Sequence, residues 1–463
     1  MPVSPVAVDV ETPDDGGSHG RVTATARRAR DWLARDVFPA DDTSARTATL
    51  AALAVGLAAA LAAGLRLGAQ GMNTLWAEDG QVFYAAAKHA ALPDVFFHTY
   101  RGYMHAGPRT VAAAAALFPV KWAAAGIAVG DAIALGLLAA IVYRASAPFI
   151  RNPWLRVVPA LLIAVCPVGQ ETIGSIANLQ WFLFFAAVVV LLWNPRRPLP
   201  IAIGVVTVLF ATMSSPFGIL LIPLAGLRLL VFLGNRASVI PVAALAGFGM
   251  QTLIMVGATG RTSYTTVVPG KLTSLFVTGV VGQGFFGARY SAPWSALGTV
   301  AVIAIAAAWA LVAATGRLRS FTAASVTLVY ALVFFAVPVV LDGMTIGQPP
   351  AYRYYVGPLL LIVFAVTVML DGALRRPDHL RWAEAYRPVP AVLCAALLVC
   401  LGYSAVTTYR APDPARSAPT WSAALNNARI RCSHGAPRAA VPIAPVSVHH
   451  WKVVLSCSQI SRG

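Results

Sequence analysis

Charged side chains are scarce in this sequence of 463 residues, and acidic ones are the scarcest. Asp, Glu, Lys and Arg together account for 11% of the residues, apolar residues account for 58%, and the mean hydropathy is +0.70. A soluble domain carries about 25% charged residues, so this chain has too few to coat a soluble fold of its size. The composition predicts an integral membrane protein with many spans.

Signatures of several enzyme classes are also absent. The five cysteines form no CxxC or Cys/His ligand spacing, so no zinc site is indicated. The sequence contains no P-loop, GxSxG elbow, Rossmann fingerprint or HExxH motif. ATP-driven transport and zinc proteolysis therefore have no positive support.

Apolar runs long enough to cross roughly 30 Å of hydrocarbon recur along the chain. We predict an all-α, polytopic transmembrane helical bundle of about eleven spans, near residues 46–68, 120–143, 153–169, 177–194, 199–214, 216–233, 237–257, 295–315, 320–341, 353–372 and 388–408. Two further apolar stretches, 107–118 and 271–288, are short or interrupted by glycine, which is typical of half-helices or re-entrant segments.

The net charge is +17, and the basic residues gather in alternate breaks between the apolar runs. Arg144, Arg196 and Arg317 mark such breaks, whereas the breaks near 170–176 and 214–216 contain no Lys or Arg. This asymmetry follows the positive-inside rule and explains the charge without nucleic acid as a partner. It predicts a multi-pass plasma-membrane protein with a cytoplasmic N-terminus and an extracytoplasmic C-terminus.

Three regions follow from this topology. They are a partly disordered cytoplasmic segment (1–45), a transmembrane domain (46–408) with long outer loops at 69–119 and 258–294, and a small extracytoplasmic tail (409–463). The first segment lacks the apolar core of a cleavable signal peptide. In the tail, a disulfide between Cys432 and Cys457 is plausible because the outside is oxidising.

An acidic pair, Glu78-Asp79, follows directly on the first apolar run within Trp76-Ala-Glu-Asp-Gly80. Adjacent carboxylates at a membrane surface are costly unless a proton, a cation or a substrate hydroxyl uses them. The pattern at 78–90 predicts an amphipathic helix, so Asp79 could instead cap its N-terminus and favour its dipole. A divalent cation, Mg²⁺ or Mn²⁺, held by both carboxylates is a further alternative.

Polar and aromatic side chains suited to a sugar or phosphate ligand cluster in the same outer loop and in later breaks. The candidates are Tyr100, Arg101, Tyr103, His105 and Arg109, then Glu171, Asn178 and Gln180, and in the second half Arg261, Arg289 and Arg353. Each has a plainer interpretation: the tyrosines as an interfacial belt, the amides as backbone caps, and Arg353 as a side chain that snorkels to the interface.

The motif around Glu78-Asp79, the many-span layout and the late Arg353-Tyr354-Tyr355 resemble the GT-C superfamily of integral membrane glycosyltransferases. The resemblance implies transfer of a sugar from a polyprenyl-phosphate donor to a cell-envelope glycan or lipid acceptor on the outer face. It implies Asp79 as general base, with Glu78 as its neighbour or substitute. It also implies Arg353 as the donor-phosphate ligand, with Arg289 or Arg261 as second candidates.

The Ala-, Arg- and Gly-rich composition is typical of a high-GC bacterium such as an actinobacterium, in which such enzymes build envelope glycans. A transporter or lipid-carrier flippase is the alternative function, with Glu78-Asp79 as a proton or cation site. The apolar runs contain almost no acidic residues, Asp131 being the chief exception, which counts against it. A non-catalytic envelope-assembly protein is a third alternative, which would tolerate loss of the acidic pair but not of the tail.

Overall fold

A computed structural model describes residues 25–41, 45–257, 269–287, 295–341, 352–375, 388–410, 419–445 and 451–461. Most of them are helical. In chain order the bundle helices are α1 (25–37, π-helical over Leu33–Val37), α2 (Ala45–Met72), α3 (79–89, π-helical over Asp79–Tyr84), α4 (Leu92–Phe97), α5 (Ala106–Ala116), α6 (Ala123–Ala145), α7 (Pro153–Val165), α8 (Leu179–Leu192), α9 (Pro198–Ser214), α10 (Ile222–Phe232), α11 (Val239–Gly257), α12 (269–286), α13 (Ser295–Ala314), α14 (Leu318–Leu341), α15 (Arg353–Leu374) and α16 (Pro388–Thr408).

Each of the predicted apolar runs lies on a helix. Among the described residues, seven helices are long and apolar enough to cross a membrane: Thr47–Met72, Val120–Ala145, Arg236–Gly257, Ala296–Ala314, Leu318–Leu341, Arg353–Leu374 and Pro388–Thr408. Four apolar helices are shorter: Pro153–Val165, Ile176–Leu192, Pro198–Ser214 and Pro216–Phe232. The helical architecture is therefore confirmed, and its long apolar helices support a membrane protein, whereas the count of eleven spans stays a prediction.

Two of these helices are short, and proline explains the end of one of them. α7 is 13 residues long and ends where Cys166, with an extended ψ of 124°, precedes Pro167, because a residue that precedes proline is pushed out of the helical region. α8 is 14 residues long and ends at Leu192, where Trp193 is extended. Both helices stop short of the roughly 20 residues that a perpendicular span needs.

α15 is the central helix of the bundle. Its residues 354–373 are buried, and it packs against α7, α8, α14 and α16. A helix that is apolar on all sides is stable only when other helices enclose it. Its first residue, Arg353, lies at one end of the bundle, where the candidate site opens.

Basic residues gather at the other end. Arg144 forms an ion pair with Asp41, and Arg375 forms one with Asp371. The second oxygen of Asp371 accepts the backbone N–H of Asn152 at 2.9 Å. The positive-inside pattern assigns this end to the cytoplasm, and that assignment stays a prediction.

The loop 69–119, the first outer segment of the predicted topology, packs against the C-terminal tail at the site end. The tail consists of α17 (Trp421–Ser433), the antiparallel strands β1 (Arg438–Pro442) and β2 (Lys452–Ser456), and α18 (Cys457–Ser461). Both strands alternate between exposed and buried residues, as one-sided strands do. The all-α prediction therefore describes the bundle but not the tail. Cys432 and Cys457 are joined in a disulfide, with their Cα atoms 5.5 Å apart.

Candidate functional site

A cavity of about 580 Å³ opens at the site end of the bundle. Its wall comes from the segment after α2, the turn before α5, the start of α8, the outer ends of α11 and α14, and the start of α15. It brings together Glu78, Arg101, His105, Gln180 and Arg353, which are distant in sequence. One acid, two guanidinium groups, a histidine and an amide therefore face a shared space.

The acidic pair is divided by the helix on which it lies. Glu78 is the N-cap of the π-helical turn that begins α3, and its side chain lines the cavity. Asp79 is the next residue, which on a helix points about 100° away. Asp79 is fully buried, and within the described part of the chain it is not among the residues that line the cavity.

Asp79 instead binds the loop before α8. Its Oδ1 accepts the backbone N–H of Ala177 at 2.9 Å, and its Oδ2 accepts that of Ile176 at 3.1 Å. Burial, with the nearby carboxylates of Glu78 and Asp131, raises the pKa of Asp79 well above its usual range, and the two amide hydrogen bonds oppose this rise. Asp79 thus acts as a cap for the short 3₁₀ turn Ile176–Asn178 rather than for its own helix.

The same loop has a second buried carboxylate anchor. Oδ2 of Asp131, on α6, accepts the backbone N–H of Gly174 at 2.7 Å. Gly174 has a φ of 77°, a left-handed conformation that glycine adopts without cost. Two carboxylates from separate elements therefore fix the backbone at 174–177, which carries Ala177 and Asn178 to the cavity wall.

The two amides at the start of α8 have different roles. Asn178 donates to Oγ of Ser175 at 3.0 Å and accepts from Nε1 of Trp181 at 3.3 Å, so it is engaged in the local structure. Gln180 also lines the cavity, and its buried Oε1 has no hydrogen-bond partner among the described residues. Gln180 is therefore the amide available to a ligand hydroxyl.

Arg353 is oriented by Glu171, an acid in the short break near residues 170–176. Its Nη1 lies 2.5 Å from Oε1 of Glu171, and its guanidinium lies 5.3 Å from the ring centre of Tyr354. Arg353 lines the cavity and its side chain remains 38% exposed. The two second candidates, Arg261 and Arg289, lie outside the described residues.

Arg101 is presented by a tight hairpin turn. Tyr100 and Tyr103 exchange backbone hydrogen bonds of 3.1 and 3.3 Å, and the two residues between them, Arg101 and Gly102, have φ values of 54° and 79°. Two positive φ values are the mark of a type I′ turn, which is unusual for an arginine. Such strain is typical of positions where a side chain has to point into a site.

Aromatic rings surround the polar groups. His105 stacks on Tyr103 with ring centres 4.1 Å apart and also contacts Phe83 and Tyr100. Its Nδ1 lies 3.2 Å from the carbonyl oxygen of Tyr103, which places the proton on Nδ1 and leaves Nε2 as an acceptor. Burial and the nearby Arg109 lower the pKa of His105 to about 3, so the imidazole is neutral at physiological pH.

Tyr100 and Arg109 complete the set of candidates from the first outer segment. Tyr100 lines the cavity, where burial and the neighbouring Glu78 carboxylate raise its pKa. Arg109 is fully buried, donates to the carbonyl oxygen of Val95 at 2.6 Å and lies over the ring of Phe83. Within the described part of the chain it does not line the cavity, so its position favours a structural role.

The sequence reasoning missed an apolar wall and the residue that joins it to the hairpin turn. Phe217 and the α11 residues Phe248, Met255 and Val256 line the cavity. Gln251, also on α11, is fully buried and hydrogen-bonds both the N–H and the carbonyl oxygen of Met104. A polar residue in an otherwise apolar run is a signal that could have identified this link.

A cation shared by the acidic pair does not fit this arrangement, because both Asp79 oxygens accept backbone N–H groups. Within the described ranges, no group of three or more His, Cys, Asp or Glu side chains could hold a metal ion. Glu78 alone could still contribute to a cation that a phosphate ligand also binds.

No protein-family model matches the chain, and no curated protein matches it either. The function is therefore argued from the cavity and its residues.

Proposed function

We propose that this protein is an integral membrane glycosyltransferase that moves a sugar from a polyprenyl-phosphate donor to a hydroxyl of an envelope glycan or lipid. The observation that carries the proposal is the shared cavity of Glu78, Arg101 and Arg353, with aromatic rings around it and an apolar wall on one side. A base, an anion site, a sugar surface and a lipid surface are the parts that this reaction needs.

Glu78 is the general base in this proposal, in place of Asp79. Its side chain faces the cavity, whereas the oxygens of Asp79 are engaged with the amides of Ile176 and Ala177. The acceptor hydroxyl gives its proton to Glu78 as its oxygen bonds to the anomeric carbon, and the bond from that carbon to the phosphate oxygen breaks. The leaving phosphate needs no proton, so one carboxylate is sufficient.

Arg353 and Arg101 bind the donor phosphate and stabilise its charge as the bond breaks. A guanidinium group matches the geometry of phosphate oxygens and holds its charge at any physiological pH. Arg353 is also the first residue of α15, whose N-terminal backbone amides favour an anion. Glu171 keeps the Arg353 side chain turned toward the cavity in the absence of the donor.

The aromatic and apolar walls suit the other two parts of the donor. Trp76, Tyr100 and Tyr103, which are half-buried and line the cavity, offer rings of the kind on which sugar rings pack, and Gln180 offers a hydrogen-bonding amide. Val256, at the outer end of α11, lines the cavity and is 75% exposed, so in a membrane it faces acyl chains. A polyprenyl chain could lie along this wall while its phosphate reaches Arg353.

The transporter alternative has less support. Asp131, the chief acid within the apolar runs, is fully buried and is bound to the backbone of Gly174. A proton or cation carrier needs acids that can change partners near the middle of the membrane. The position of Asp131 favours a structural role in the loop that forms the cavity wall.

The test is acceptor-dependent release of polyprenyl monophosphate. The purified protein in lipid nanodiscs is incubated with a panel of polyprenyl-phosphate sugars and an envelope glycolipid fraction. We expect release from at least one donor, loss of release with Arg353→Gln, and normal release with the exposed tail variant Arg429→Gln. Movement of an intact donor between the leaflets of proteoliposomes without release would favour the flippase, and release from no donor would contradict the proposal.

A further inference from the structure

The C-terminal tail adds a strand-like contact directly before Glu78. The backbone N–H of Ala77 donates to the carbonyl oxygen of Ala444 at 2.6 Å, and the N–H of Ala444 donates to the carbonyl oxygen of Leu75 at 3.0 Å. Trp76, which lies between them, forms a parallel bridge with Ala444. The chain that leads into Glu78 is therefore paired with the tail through main-chain hydrogen bonds.

The tail also packs on the chain directly after the acidic pair. A Cβ atom placed on Gly80 would lie 2.5 Å from Cδ1 of Ile443, so the tail touches the backbone there. At the next residue, the Oε1 of Gln81 accepts the backbone N–H of Lys452 at 3.0 Å. Residues on both sides of Glu78 thus contact Ile443, Ala444 and Lys452 of the tail.

A buried tryptophan anchors the tail to the bundle. Trp421 is 1% exposed, and its backbone N–H donates to the carbonyl oxygen of Asn73 at 2.7 Å. Its indole Nε1 donates to the carbonyl oxygen of Val120 at 2.9 Å. The tail is therefore tied to both ends of the first outer segment, at the end of α2 and just before α6.

The tail contains a small sheet that its disulfide constrains. β1 and β2 form a two-stranded sheet, which alone is marginally stable in water. The Cys432–Cys457 bond joins the end of α17 to the residue that follows β2, so both strands lie within the loop that it closes. Reduction should loosen these strands and with them the pairing to residues 75–77.

We propose that the C-terminal tail is a disulfide-stabilised clamp that positions Glu78 in the cavity. The tail contributes no residue to the cavity wall among the described residues, so it acts through the backbone on either side of Glu78. The consequence for catalysis rests on the proposed transferase function, whereas the clamping of residues 75–81 does not. Misplacement of a catalytic group by about 1 Å can cost 100-fold in rate.

Amide hydrogen exchange tests the clamp without any assay of transfer. We compare the wild-type protein with the double variant Cys432→Ser/Cys457→Ser, and use Cys400→Ser, a half-buried free cysteine on α16, as the control. In the double variant we expect exchange at residues 75–81 to rise at least tenfold, while α15 stays protected. Unchanged exchange at 75–81 would overturn the clamp, whether or not the protein is a transferase.

The rate of transfer tests the consequence for Glu78. We expect the double variant, and wild type treated with a reductant, to lose about 10- to 100-fold in kcat, with KM for the polyprenyl donor changed less than twofold. Gly80→Ala should also lower kcat and leave KM for the donor nearly unchanged. Gly402→Ala, whose Cβ would meet open space, should leave transfer normal. Loosened exchange with full kcat would overturn the positioning role, whereas no transfer by wild type would overturn only the proposed function.

Trp421→Phe covers the case in which the double variant fails to fold. It keeps the buried ring and removes the hydrogen bond to Val120. We expect intermediate exchange at 75–81 and an intermediate kcat. Normal values of both would overturn the proposal.

Discussion

Oδ1 of Asp79 accepts the backbone N–H of Ala177 at 2.9 Å, although the two residues are 98 positions apart in sequence. This bond separates the roles of two adjacent acids. Asp79 holds the loop that forms one wall of the cavity, and Glu78 faces the space that the loop encloses. The acid that we propose as the base and the acid that shapes its site are therefore neighbours in the chain.

Asp79→Asn should lower stability. An asparagine keeps one acceptor oxygen and turns an NH₂ group toward the second backbone N–H, so a buried donor is left without a partner. Such a loss costs about 1–3 kcal/mol, which we expect to see as a lower unfolding temperature in detergent. Asp94→Asn, an exposed acid on α4, is the matched control and should unfold as wild type does. An unchanged unfolding temperature combined with abolished transfer would restore Asp79 as the base.

Arg353→Gln should weaken the binding of polyprenyl monophosphate by about 10- to 100-fold, because a charge-assisted hydrogen bond is lost. Arg353→Lys keeps the charge without the planar fork, and we expect a smaller loss. Titration of the protein in nanodiscs measures both, and polyprenol, which lacks the phosphate, is the control ligand. Equal affinities of Arg353→Gln and wild type for the phosphate would remove Arg353 from the site.

Gly102→Ala tests the turn that presents Arg101. A residue with a Cβ is strained by about 1–2 kcal/mol at the positive φ of this position, so the turn should open and move Arg101. We expect a higher KM for the donor in the release assay. Gly226→Ala, on α10 with open space around its Cβ, should leave KM unchanged. If KM for the donor is as low in Gly102→Ala as in Gly226→Ala, Arg101 does not bind the donor.

His105 should make the protein less stable in mild acid. The folded protein holds the pKa of His105 at about 3, whereas the unfolded chain has the ordinary value of 6.5. The contribution of His105 to stability is therefore present above pH 6.5 and is lost as the pH falls toward 3. Between pH 7 and pH 5 this amounts to about 2 kcal/mol.

The variant His105→Phe should show a smaller fall in unfolding temperature between pH 7 and pH 5 than wild type does. His98→Phe, at an exposed position, should keep the wild-type difference. An identical difference in His105→Phe and wild type would show that folding does not lower the pKa of His105.

The positions of the bundle helices could be predicted from the sequence because long apolar runs have few other stable conformations in a membrane. The length of α7 was overestimated, since Pro167 ends this helix inside the apolar run 153–169. The strands of the tail were not predicted. Their alternation covers only five residues each, and their buried face depends on contacts with α17 and the first outer segment.

The sequence indicated many of the residues of the candidate site, but not which of the two adjacent acids faces the cavity. The sequence placed the acidic pair, Tyr100, Arg101 and Arg353 at one end of the bundle, and the cavity includes residues of all these groups. Which acid faces the cavity depends on how the π-helical start of α3 is rotated. That rotation is set by contacts with the 174–177 loop and the tail, both remote in sequence.

The most direct test compares single-turnover sugar transfer by Glu78→Gln and Asp79→Asn, each normalised to the fraction of the protein that binds polyprenyl monophosphate at saturation. We predict that Glu78→Gln binds the phosphate as wild type does and loses at least 1,000-fold in rate, within the range of about 10²–10⁴ that general base catalysis supplies. The folded fraction of Asp79→Asn should retain measurable transfer. Wild-type turnover by Glu78→Gln would contradict the assignment of Glu78 as the base and the account built on it.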